Sequence, residues 1–155
     1  MKYELQDLLR VREHRKEHAQ EILLKAKMAL QEAQRLLEEQ KKKQERFLEK
    51  KPEYIQLIYD QMMQKTHFKR NYLDLVNLKL SKMDEYQAKL AIEIEKAHNK
   101  CEQAKQEVVQ CSQKLHKAQR ELEKIEEHKN IWKEEMRFLD EKEQDKELED
   151  FKVKK

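Results

Sequence analysis

The chain has 155 residues, of which none is glycine and one, Pro52, is proline. Reversals of chain direction draw on glycine for positive φ and on proline for a preset turn geometry. A sequence with so little of either argues against a compact fold with many turns, and it excludes a glycine-rich phosphate loop outright. Cysteine is scarce as well, limited to Cys101 and Cys111. On one helix a ten-residue spacing sets them about 15 Å apart, and a disulfide needs Cα atoms within about 7 Å. They read as small core residues in a reducing compartment. Also missing is a long hydrophobic run: nothing approaches the eighteen or so residues of a membrane span, so direct membrane insertion is not expected. Met1-Lys2-Tyr3-Glu4 offers no apolar core of a signal peptide. Finally, neither sign of charge prevails: 35 basic residues meet 32 acidic ones, for a net charge of +3. That balance argues against a nucleic-acid partner, which asks for a clustered basic face.

What is present is a seam. From Leu73 to Leu139, alternate steps of three and four residues reach twenty positions, and eighteen are apolar, Gln87 and Lys129 being the exceptions. A chain that is 37% hydrophobic would give about seven by chance. An apolar residue every 3.5 positions draws one narrow stripe along a helix, and the stripe needs a partner helix to leave water. At about 1.5 Å per residue the segment would be on the order of 100 Å long. Charged residues, 43% of the total, are what the solvated faces of a two-helix rod carry.

The first segment, Glu4 to about Lys50, is helical in pattern too. Ala19, Ala26 and Ala33 recur every seven residues, with the apolar pairs Ile22-Leu23, Ala29-Leu30 and Leu36-Leu37 between or after them. The basic runs Lys41-Lys42-Lys43 and Lys50-Lys51 lie among glutamates at 38, 39, 45 and 49, and read as a solvated face before they read as a phosphate or acidic-lipid contact. Pro52 disfavours helix at Lys51, so a kink or short break is expected there. The following stretch, from Tyr54 to Met63, is more apolar and aromatic than one narrow seam requires. A thicker local core around a bend is the plainer expectation, and a partner-binding knob the sharper one.

The rhythm breaks over residues 64–71, where a turn is expected, with Asn71 as N-cap and Asp74 in the first turn of the next helix. Folding back about position 68 or 69 sets Ala33 level with Ala104, Ala26 with Cys111, Ala19 with Ala118, and Leu5 with Trp132. The expected fold is therefore all-α: a long antiparallel two-helix coiled-coil hairpin. It would form a single elongated domain over 1–155, with helix 1 over about 4–63 kinked near 52 and helix 2 over about 72–148. Beyond about residue 133 the second helix overhangs, leaving Met136, Phe138 and Leu139 without an intrachain partner. Residues 134–150 hold nine acidic against three basic residues, which opposes the helix dipole and should fray the last turns. Opposite them Arg10 to Lys16 is mainly basic. Trp132 reads equally as a core residue and as an anchor for a protein partner.

No catalytic constellation appears. His14 and His18 are spaced as two ligands on one helix face, but no acid or cysteine completes a set and arginines 12 and 15 crowd it. The carboxylates avoid the seam, where a perturbed pKa could be made. Catalytic, cofactor-binding and metal residues are each expected to be none, and the protein is not expected to be an enzyme.

The opening Tyr3-x-Leu5-x-x-Leu8-Leu9-Arg10-Val11-Arg12 resembles the start of the FliJ/YscO family, the small stalk proteins of flagellar and injectisome type III secretion. His128-Lys129-Asn130-Ile131-Trp132 with its Glu-rich sequel resembles the C-terminus of the YscO-type injectisome members. The architecture matches along essentially the whole chain, while the specific motifs cover about the first 15 and last 30 residues. The resemblance implies an antiparallel two-helix coiled coil, similar to the central stalk of rotary ATPases, whose terminal end enters the hexameric secretion ATPase. The hairpin end would point to the export-gate protein, and secretion chaperones would be further partners. Carried over by position, Arg10, Val11, Arg12, Arg15, Trp132 and Met136 would meet the ATPase, and Phe68, Tyr72, Leu75 and Val76 the gate. The implied place is cytoplasmic, at the cytoplasmic face of the secretion apparatus, with a role in virulence, and the expected state is a monomer. Pro52 has no place in the family pattern. The rival reading is a generic self-associating coiled-coil scaffold or holdase.

Overall fold

The absence of glycine and the abundance of Ala, Leu, Lys, Glu and Gln favour helix at nearly every position. The computed structural model, which describes residues 2–64 and 70–154, follows that preference. It holds α1 (Gln6–Met63) and α2 (Arg70–Val153), and no strand among the described residues. The protein is an all-α helical hairpin. The turn expected over 64–71 falls mostly on residues 65–69, outside the described residues.

By its contacts the chain divides into two units, each made of one stretch of either helix: Met1–Lys25 with Val109–Lys155, and Ala26–Val108. In the first unit, Tyr3 meets Trp132, Gln6 meets Lys129, and Arg12 meets Glu121. Numbers rise on one helix as they fall on the other, so the pair is antiparallel. The second unit is antiparallel on the same ground: Phe47 lies against Tyr86, while Ile58 and Met62 line one groove with Val76 and Tyr72.

The seam read from the sequence is the one α2 buries. Every position from Val76 to Met136 in that series is buried or half-buried; Leu73 and Leu139 are exposed, and Tyr72 takes the place of Leu73. Its two polar members are the places where α1 reaches across. Lys51 Nζ donates to Gln87 Oε1 at 2.6 Å, and Lys129 Nζ donates to Gln6 Oε1 at 2.9 Å. Polar groups at seam positions fix register, because any slip would leave them buried without a partner. The core itself is thin. Tyr3, Leu9 and Leu122 are buried in the first unit, and Ala26, Val76, Leu90 and Cys101 in the second. Two helices in one layer can bury only a stripe each.

Several expectations are narrowed or corrected. Of the kink or short break expected at Pro52, no break occurs: α1 continues through it. The lost backbone bond is one among many, and Lys51 beside it is tied to α2 through Gln87 and Asp84. What changes there is the seam. Half-buried positions step 44, 47, 51, 55, 58, 62, so two steps of four follow each other across the proline. The facing stretch of α2 steps 72, 76, 80, 83. In α2 the steps 72 to 76 to 80 repeat the four in the same way, so each helix inserts one extra four-residue step into the alternation. The second correction concerns the apolar excess after Pro52. It does not thicken the core, because the seam takes Ile55, Ile58 and Met62 and leaves Tyr54, Leu57, Tyr59 and Met63 exposed. Third, Asn71 does not cap α2, which already begins at Arg70 and has no acid in its first turn; half-buried Tyr72 draws that turn into the packed helix. Fourth, α2 runs beyond the expected end near 148 to Val153, with Lys152 in its last turn where a cation complements the dipole. The ion pair Arg137–Glu141 and the ammonium of Lys142 over the Phe138 ring lie along the stretch of α2 just past Met136.

Candidate functional site

Two surfaces are built by the helices, one in each unit. In the first, Tyr3 lies just ahead of α1, where Gln6 N–H donates to its carbonyl at 3.2 Å. That turn lays the ring across α2. It is 6% exposed, packs on Trp132 at 5.2 Å between centroids, and its hydroxyl is hydrogen bonded to His128 Nδ1 at 2.7 Å. Lys129 Nζ approaches the same ring at 5.9 Å. Trp132 is thereby half-buried, part core and part surface. Met136, expected to overhang, is also half-buried, whereas Phe138 and Leu139 are exposed.

The arginines sit at another level. Arg12 forms an ion pair with Glu121 and is half-buried, with its Nε buried and without a hydrogen-bond partner. Arg10, Val11 and Arg15 are exposed. Glu121 and Trp132 are eleven residues apart on α2, so the arginine level and the Tyr3–Trp132 level are separated by about 16 Å. The expected ATPase residues are therefore two clusters on one helix pair rather than one patch. Arg12 is committed to the helix–helix contact, while its exposed neighbours are available to a partner. Tyr3 is the member that reasoning from the sequence missed. It stands outside the helix, so no periodicity pointed to it, and Leu5 was expected at the level of Trp132.

In the second unit a groove of about 330 Å³ is lined by Ile58 and Met62 on α1 and by Tyr72, Leu75 and Val76 on α2. Three of the four expected gate residues meet here. Leu75 is exposed, Tyr72 half-buried, and Val76, only 6% exposed, forms the floor. Phe68 lies outside the described residues. One exposed cluster on α1 carries an electrostatic perturbation. Arg35 pairs with Glu32 at 2.6 Å and also with Glu39. Its hydrogen bond to Glu32 lowers that carboxyl from its ordinary value and raises the guanidinium. In full solvent such a pair adds little. Among the described residues no three His, Cys, Asp or Glu side chains gather as a metal site, and no helix is long and apolar enough to cross a membrane.

Two long antiparallel helices joined along a stripe core define the class: an all-α helical hairpin of coiled-coil type. The chain belongs to the YscO family of type III secretion proteins, whose model matches residues 5–154. No curated protein and no solved structure matches it.

Proposed function

We propose that the protein is a stalk component of a type III secretion system, binding the hexameric secretion ATPase and coupling it to the export gate, with escort of secretion chaperones as an additional role. The observation that carries this reading is the pairing of the two ends of the chain. Tyr3 and Trp132 lock the N-terminal segment onto α2, and exposed Arg10, Val11 and Arg15 follow on α1. Past Met136, α2 continues as an exposed acidic helix. A helix pair with cationic, apolar and anionic surfaces side by side at this terminal level suits an asymmetric contact inside a ring. The apolar groove beside Tyr72, Leu75 and Val76 suits an apolar contact at the gate.

The arginines give the test. Arg12 supports the helix pair through Glu121, so its reversal would perturb fold and docking together. Arg10 and Arg15 are exposed and can be changed cleanly. The double variant R10E/R15E should keep the helical spectrum of the wild type and lower stimulation of the purified cognate ATPase about tenfold, the scale of losing charge pairs at a docked surface. Undiminished stimulation by a folded double variant refutes docking through this end.

A further inference from the structure

The second unit carries another surface, on the flank of the helix pair around Pro52. Because the seam takes two successive steps of four, it passes from Lys51 to Ile55 and leaves out Tyr54, which with Leu57 stays 46% and 54% exposed. On α2, Tyr86 is 48% exposed and meets Phe47 edge to face at 4.9 Å between centroids. Phe47, Tyr54, Leu57 and Tyr86, with Ile58 and Met83 beneath, form an apolar groove of about 440 Å³ along both helices. A two-helix coiled coil has no use for a second stripe of this kind, and contiguous exposed apolar surface marks a contact site.

The rim has one sign. Lys79 and Lys82 border the groove on α2. Lys43, Arg46 and Lys50 border the adjoining part of it, where Phe47, Tyr54 and Tyr86 recur. No carboxylate lines either part. Glu45 and Glu49, which balance the lysine runs along the linear sequence, project from other sides of α1, since positions 43, 46, 47, 50, 54 and 57 share one helical face. The near-zero balance of the whole chain therefore hides a cationic patch around an aromatic floor.

We propose that this flank seats an acidic amphipathic helix of a partner protein, giving a local three-helix bundle. The occupant would place large apolar residues at i, i+3 or i+4 and i+7 over Phe47, Tyr54, Leu57 and Tyr86, with Asp and Glu on both sides of that stripe. A third helix fits a groove between two antiparallel helices by ridge-and-groove packing. Lysines beside the stripe admit carboxylates and repel a basic helix. This surface adjoins the Tyr72 groove, with which it shares Ile58 and Lys79, but the inference rests on its own aromatic floor and cationic rim and not on the stalk reading.

The test uses the full chain, isotopically labelled, and a synthetic helix about three heptads long, with Leu and Phe on one stripe and Glu elsewhere. Saturable binding is expected, with amide shifts confined to residues 43–58 and 79–86. The surface variant K50E/K79E/K82E should weaken it about tenfold or more and favour the same peptide with Lys in place of Glu. Y54S/L57S should weaken binding comparably, with helical content unchanged. The proposal is overturned if the acidic peptide does not bind, if its shifts fall elsewhere, or if the acidic and basic peptides bind wild type alike. It is equally overturned if the groove residues respond instead to phosphatidylglycerol vesicles, to oligothymidine, or to a peptide of this chain's own residues 134–154.

Discussion

At the scale of single residues, the exceptions to the pattern carry the information. Gln87 and Lys129 interrupt an otherwise apolar seam, and each is met by a side chain from α1. From the sequence they were legible only as blemishes, because spacing along one helix does not say which distant residue stands opposite. Tyr3 is a sharper case. A non-helical residue has no period, so its stacking on Trp132 could be found only in three dimensions. Trp132 is the sole tryptophan and reports on it directly. Tyr3→Ala should move tryptophan emission to longer wavelength and lower stability of the terminal packing by about 2 kcal/mol, less than for a fully enclosed aromatic because Trp132 remains part-exposed. Emission and urea midpoint equal to wild type would mean that Tyr3 does not cover the indole in solution.

At the scale of the elements, the seam of α2 was legible almost position by position, since a 3.5-residue rhythm over so many turns has one structural meaning. The first helix was harder to read. Its stripe includes Arg12, Lys16, Gln40, Gln44 and Lys51, all half-buried, and such residues look like solvent-facing ones until the partner helix is present. Their long stems cover apolar surface while their heads reach its edge. The break that Pro52 suggests is absent for a related reason. Local chemistry argues for a break, but interhelical bonds of Lys51 hold both sides of the proline in one helix. Restoring the missing backbone donor should then raise stability. Pro52→Ala is expected to add about 1–3 kcal/mol, seen as a higher midpoint in thermal or urea unfolding. A lower midpoint would show that the ring itself supports the packing there.

At the scale of the whole molecule, composition made the fold class plain and hid the surfaces. A net charge of +3 is a sum, whereas docking depends on how charge is divided among faces and ends. The acidic stretch past Glu134 and the lysines beside the Tyr54 groove cancel in that sum. The same holds for hydrophobicity: exposed large apolar residues far outnumber buried ones, as a single layer of two helices requires. Exposure of this kind often signals self-association, which makes the state in solution informative. The stalk reading expects a monomer by multi-angle light scattering across a wide concentration range. A dimer that persists on dilution would favour the scaffold reading instead.

The proline-centred stretch has a geometric meaning as well. Around Pro52 each helix takes two successive steps of four, 47 to 51 to 55 on α1 and 72 to 76 to 80 on α2, and such an insertion locally unwinds the left-handed supercoil that a seven-residue repeat imposes. Two helices with that spacing run closer to parallel axes through this stretch than a strict seven-residue repeat would set them.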